Sequence, residues 1–159
     1  MDVTVRPAQD ADRDAVRRAL SVAWGGTIVV GHGVRYDATT LPALIAERDG
    51  ELVGVLTYVI EDDAMEVVTI DSTVPQSGAG TALLAAAGRT ARAAGVGRLW
   101  LVTTNDNLDA LRFYQRRGLR LIGLAPDAVA SARLLKPTIP EVGAYGIPIR
   151  DELTLEMRF

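Results

Sequence analysis

The sequence predicts a single mixed α/β domain over residues 1–159, strand-rich early and alternating strand with helix late. Three observations carry that expectation. The length is that of one domain, and 48% apolar with 23% charged residues suffices for a core and a solvated surface. Short apolar runs separated by turn signals fill the stretch before Val74. After it, runs of helical period alternate with compact apolar runs of strand length.

In chain order, "VTVRPA" opens as a strand. "DADRDAVRRALSVAW" then places Val16, Ala19, Leu20 and Ala23 at helical spacing behind capping aspartates. The glycine-rich "GGTIVVGHGVRYDATT" is expected to be a loop interrupted by a short strand. "LPALIAERDGELVGVLTYVIEDDAMEVVTIDSTV" gives three strands with turns at Asp49-Gly50 and Glu61 to Ala64, an antiparallel meander. A helix starts near Gly80 in "VPQSGAGTALLAAAGRTARAAG". The strand "RLWLVTT", the helix "NLDALRFYQRRG", the strand "LRLIGL" and the helix "PDAVASARLLK" follow. "PTIPEVGAYGIPI" is a punctuated loop and "RDELTLEMRF" alternates as the last strand. No internal repeat, linker or low-complexity tract interrupts this order.

Composition narrows the function. A net charge of −3 argues against nucleic acid as partner, which needs clustered positive charge, and Lys136 is the only lysine. With no cysteine and one histidine, His32, there is no disulfide framework, thiol nucleophile or histidine cluster for a metal. The opening residues carry no signal-peptide pattern, and no apolar run of about 18 residues occurs, so a soluble cytoplasmic protein without membrane contact is expected.

Two stretches carry chemistry. In the first, a strand ending near Ile70, a loop with Gly78, and a helix from Gly80 make an anion site. The first amides of a helix have no partner within it, and the dipole adds partial positive charge. The same glycines also fit a plain strand-to-helix turn. A nucleotide P-loop is excluded because no Gly-Lys-Ser/Thr follows, and a dinucleotide fingerprint fails at Leu83, where its third glycine belongs. A loop for S-adenosylmethionine normally follows the first strand of a longer domain, whereas a meander precedes this one. The alanines Ala82, Ala85, Ala86 and Ala87 suit a helix lying close to a sheet.

In the second stretch, "TNDNLDALRFYQRRGL", Asn107, Ala110, Leu111 and Tyr114 share a helical face, with Asn107 and Tyr114 about 10 Å apart. Asn105 or Asp106 equally fits a helix cap, and Phe113 and Tyr114 equally fit core aromatics.

Jointly, Ile70, "STVPQSGAG", its helix, "RLWLVTT" and "N-x-x-A-x-x-F-Y-x-x-x-G-L" resemble the two hallmark segments of the GNAT N-acetyltransferase superfamily, across Val67 to Leu121. The resemblance implies that family's fold: a central, mostly antiparallel sheet flanked by helices, with a V-shaped parallel split between its fourth and fifth strands, here the strand ending at Ile70 and "RLWLVTT". It implies acetyl-CoA as cosubstrate, with no metal. The backbone of Val68 and Ile70 would meet the pantetheine arm, the amides of Ser77, Gly78, Ala79, Gly80 and Thr81 the pyrophosphate, and Asn107 the arm again. One departure stands out. Where the family usually has Gln or Arg and then Gly ahead of the first motif glycine, this chain has Pro75 and Gln76.

Transfer to an amine needs a deprotonated nucleophile, a place for the oxyanion and a proton for the thiolate. By resemblance Tyr114 is the acid, and a backbone amide near Ile70 polarises the carbonyl. Glu66, four residues before Ile70 and expected on the same strand face, is the first candidate base and Asp71 the second. Glu66 on a solvated face, or an amine already neutral, are the alternatives. Trp24, His32 and Tyr36 are the candidate substrate-binding residues, and the segment with Glu141, Tyr145, Arg150 and Asp151 is a second specificity loop. Exposed Ile147, Pro148 and Ile149 would suit a lid or a homodimer surface. The expected activity is N-acetylation of a primary amine on a small molecule or peptide by direct attack in a ternary complex. The alternative is a catalytically silent acyl-CoA-binding sensor.

Overall fold

The computed structural model describes residues 2–159. In chain order the elements are β1 (Thr4–Pro7), α1 (Arg13–Trp24), β2 (Ile28–Gly31), β3 (Val34–Asp37), β4 (Ala43–Arg48), β5 (Glu51–Glu61), β6 (Ala64–Ser72), α2 (Ala79–Ala93), β7 (Arg98–Thr104), α3 (Leu108–Arg116), β8 (Arg120–Ala125), α4 (Ala128–Leu135) and β9 (Glu152–Arg158). Seven strands form a mixed sheet in the order β1-β4-β5-β6-β7-β9-β8, and β2 pairs with β3. The chain divides into two compact units: residues up to Val29 with Asp37–Leu99 and Phe159, and Val30–Tyr36 with Trp100–Arg158.

In the first unit the expected meander is present. β4, β5 and β6 pair antiparallel, and β1 adds antiparallel to β4. Left-handed Asp49 and Gly50 turn β4 into β5, and left-handed Asp62 sits in the next turn. α1 buries Val16, Ala19 and Leu20 against Val55 of β5 and Ile45 of β4, with Val16 and Leu20 each worth about 1.5–3 kcal/mol once removed from water. Ala23, expected on that stripe, is exposed, because α1 ends one residue later at left-handed Gly25. Asp12 stands at the N-cap of α1, but its side chain makes no cap bond there. Its carboxylate accepts from the Gln9 amide at 2.7 Å and from Arg6 at 2.7 and 2.9 Å, closing the short helical turn before α1.

The opposite face of β5 and β6 receives α2. Its buried Ala79, Leu83, Ala87 and Ala91 bring the helix close; of the four alanines expected there, Ala86 and Ala87 are buried, Ala82 is half-buried and Ala85 is exposed. The approach is tightest at Gly54, where a Cβ would lie 3.0 Å from the Ala79 Cβ and 3.0 Å from the Leu83 Cδ1.

The glycine-rich segment expected to be a loop is a hairpin of β2 and β3. His32 at φ 41° and Gly33 at φ 79° supply the two left-handed residues that match the strand twist, and β-branched Ile28, Val29 and Val30 extend the entering strand.

In the second unit, β8 pairs antiparallel with β9, with Ile122 as an extra residue bulged out of register. The proline- and glycine-rich connection is not free. Val142 bridges to Pro148, and Ile149, expected on the surface, is buried. No helix among the described residues is long and apolar enough to cross a membrane.

Candidate active site

β6 carries the residues expected to face the reacting centre, and its pairing with β5 changes which of them share a face. Thr57 pairs with Thr69 and Tyr58 with Val67, so Val68 is an extra residue with no β5 partner. Directly opposed residues point to one face, and a strand alternates. Glu66, opposite Val59, therefore lies on the face of the Thr57–Thr69 and Val55–Asp71 pairs, whereas Ile70, opposite Leu56, lies on the other. The expectation that Glu66 and Ile70 share a face is corrected by this bulge. Both candidate bases, Glu66 and Asp71, lie on the α1 side of the sheet.

Their settings differ. Glu66 is buried. Asp71 accepts a hydrogen bond of 2.6 Å from the Trp24 indole N–H at the end of α1 and borders a cavity of about 490 Å³ that Arg18 and Ala19 also line. Burial pushes the Asp71 carboxyl above its usual range, and the Trp24 bond opposes that rise. Trp24, expected to touch substrate, holds a carboxylate.

Beyond Ser72 the chain turns into α2. Gln76 at φ 57° and Gly78 at φ 84° are both left-handed, a conformation that favours glycine, and Gln76 stands where the resemblance expects a glycine. The Ser72 hydroxyl donates to Val74 O at 2.6 Å and lies 3.3 Å from the Ser77 hydroxyl. Ser77 Oγ in turn accepts from the Ala79 amide at 3.3 Å. The Ala82 amide makes the first bond inside the helix, to Gly78 O at 3.1 Å. Gly80 sits in the first turn, where helix geometry offers its amide no internal partner. That turn has no acidic side chain, and the Gly78 position opens onto space free of protein atoms. The donor set therefore fits an anionic group of phosphate type.

In the second unit, Asn107 is the backbone N-cap of α3, though its side chain makes no cap bond; its Nδ2 donates to Thr103 Oγ1 at 3.0 Å. Tyr114 is buried near the far end of α3, its ring edge-on to Phe113, and the Arg117 guanidinium lies 3.8 Å from the Phe113 ring centre. Neither Asn105 nor Asp106 caps the helix. Asn105 donates to Pro148 O at 3.0 Å and accepts from the amides of Arg150 and Asp151 at 2.9 and 3.0 Å. Asp106 accepts from Thr104 Oγ1 at 2.6 Å and from the Ala144 amide at 3.0 Å. The Tyr145 hydroxyl donates to Asp109 at 2.6 Å, and that charge raises the pKa of the phenol.

The same unit brings His32 and Tyr36 together. Tyr36 Oη lies 3.3 Å from His32 Nε2, and the His32 ring sits 5.0 Å from the Trp100 ring. The His32 amide donates to Glu152 Oε1 at 3.2 Å. Trp100 and Glu152 were not singled out from the sequence. Both stand in strands whose alternation gave no reason to separate them from their neighbours. Among the described residues no cluster of three or more metal-ligating side chains occurs.

Known proteins resemble this chain in sequence and in fold. The Acetyltransferase (GNAT) family model matches residues 13–119. The uncharacterized protein YxbD of Bacillus subtilis (strain 168) is 39% identical over 155 residues, covering 96% of this chain and 97% of that protein. Among solved structures, an IAA acetyltransferase from Bacillus cereus ATCC 14579 superposes with TM-score 0.79 at 21% identity, covering 99% of this chain and 100% of that one. A GNAT family acetyltransferase from Elizabethkingia anophelis, solved with acetyl-CoA bound, has TM-score 0.68 at 18% identity, with 99% and 98% covered.

Proposed function

The chain belongs to the GNAT acetyltransferase family, and from that premise we propose that it is an acetyl-CoA-dependent N-acetyltransferase, one functional domain over residues 1–159, acting on a primary amine of a small molecule or peptide. The observation that carries this reading is the turn from β6 into α2. There, left-handed Gln76 and Gly78 lead into a helix start with no acidic side chain, a donor set suited to a pyrophosphate. The acetyl-CoA bound in the Elizabethkingia anophelis neighbour supports the same cosubstrate.

Acetyl-CoA supplies a thioester whose acetyl carbon is open to attack. In this reading the amides from Ser77 to Thr81 hold the phosphates, and the backbone of Val68 and Ile70 binds the pantetheine arm with help from Asn107. The bulge leaves Val68 without a β5 partner, and its amide or that of Ile70 donates to the developing oxyanion. Glu66, buried on the α1 side, takes the proton of the attacking amine, and the Tyr114 hydroxyl gives one to the departing thiolate.

Release of free thiol from acetyl-CoA across a panel of primary amines tests this function. Tyr114→Phe is expected to lower kcat by about 10²–10⁴-fold, the range for one proton-transfer group, with coenzyme A affinity nearly intact. Absence of coenzyme A binding, or an unchanged kcat in the variant, counts against the assignment.

A further inference from the structure

This inference names a substrate class and rests on the acetyltransferase reading above. Glu152 opens β9 with 7% of its surface exposed. Among the described residues the one hydrogen bond to its carboxylate comes from the His32 amide at 3.2 Å, and no cationic side chain forms an ion pair with it. A carboxylate this buried and this thinly partnered is costly to ionise until a cation completes it. Burial accordingly raises the Glu152 pKa, with His32 opposing the rise.

The surroundings suit a cation. His32 at the tip of the β2–β3 hairpin is exposed, while Tyr36 and Trp100 are half-buried. The His32 ring lies 6.1 Å from that of Tyr36 and 5.0 Å from that of Trp100. Aromatic faces attract ammonium groups, most strongly where water is excluded. Left-handed His32 points the hairpin amide at Glu152, so the carboxylate is oriented before any ligand arrives.

The geometry points to a subsite in which Glu152, held by the His32 amide at the tip of the β2–β3 hairpin, binds a positively charged group of the acceptor that does not itself react. The attacking amine must be neutral when it meets the thioester, whereas a buried carboxylate gains most from a partner that keeps its charge. The acceptor class is therefore an alkylamine with a second cationic group, a diamine in its simplest form.

Three probes share one reacting amine and chain length and differ in charge at the far end: 1,4-diaminobutane, 4-aminobutan-1-ol and 4-aminobutanoate. Calorimetry on the full chain saturated with coenzyme A should show the diamine binding at least tenfold more tightly than the alcohol, with the carboxylate weakest. Glu152→Gln keeps an oxygen for the His32 amide and removes the charge, so it should bring the diamine down to the level of the alcohol. Equal affinities in the wild type, no diamine binding, or a diamine preference that survives in E152Q each overturn the subsite. Should a thermal scan show E152Q unfolded, the wild-type ranking decides. Failure of coenzyme A to bind overturns the acetyltransferase reading instead, and so the two failures are separable.

Discussion

Gly54→Ala tests whether the seat of α2 is fixed by its contact with the sheet. An added Cβ would lie 2.9 Å from Asp71 O, 3.0 Å from the Ala79 Cβ and 3.0 Å from the Leu83 Cδ1. Carbon pairs prefer about 3.5–4.0 Å, so the two carbon contacts fall short by about 0.5–1 Å. The Leu83 methyl belongs to a fully buried side chain with little freedom to turn. The other two contacts are a backbone oxygen of β6 and the first residue of α2, and the strain has to be relieved by moving the helix start off the strand. Overpacking of this kind costs about 1–3 kcal/mol. Gly88→Ala is the control on the same helix. Its Cβ would meet the mobile Arg92 Nη1 at 3.7 Å, and replacing a mid-helix glycine gains about 0.5–1 kcal/mol. Urea unfolding reads stability and calorimetry reads coenzyme A affinity. Gly54→Ala should lose on both, and Gly88→Ala should gain stability with affinity unchanged. A Gly54→Ala protein as stable as the wild type and with full affinity would refute the claim that this contact seats the helix.

Thr57 and Thr69, 0% and 2% exposed, share a hydroxyl–hydroxyl bond of 2.7 Å across β5 and β6. Either single Val variant strands one buried hydroxyl and should cost about 1–3 kcal/mol, while the double variant should recover most of that; additive losses in urea unfolding would contradict the pairing. Because burial raises the native pKa of Asp71 above the ordinary aspartate value of 3.8, its favourable contribution is complete below 3.8 and is lost as pH rises through the native pKa. Asp71→Asn should therefore be more stable than wild type near neutral pH, with the gap closing toward 3.8. Unfolding curves across that range check the sign, and a gap independent of pH would count against it.

Much of the fold was legible because single-strand patterns report burial directly. The meander, the helix α2 and the helix carrying Tyr114 all follow from spacing, and the structure has them, though of the four expected alanines only Ala86 and Ala87 are buried. Features that depend on a second strand were not legible. Nothing in "EVVTID" marks Val68 as an extra residue, because a bulge is a mismatch with β5 and each strand alone looks regular. That hidden residue separates Glu66 from Ile70. Likewise, alternation along β9 gives no cue that Glu152 is buried, since the contact that singles it out comes from the His32 amide, more than a hundred positions earlier in the chain.

The polar run before α3 shows how one short segment can serve several structural ends at once. Asn105, Asp106 and Asn107 all looked like candidates for a helix cap or a ligand. The structure divides them by partner. Asn105 holds the backbone at Pro148, Arg150 and Asp151, Asp106 holds Ala144, and the Asn107 side chain donates to Thr103. Gly143 belongs to the same arrangement, for a Cβ there would collide with the Asp106 carboxylate. Two of the three side chains are thus committed to the connection between α4 and β9, which buries Ile149 and brings the chain to Glu152. The residue left exposed at the helix start is Asn107, the one that the family pattern assigns to the cosubstrate. The polar density of this stretch therefore arises mainly from anchoring a neighbouring loop, which leaves one position of three for the proposed cosubstrate contact.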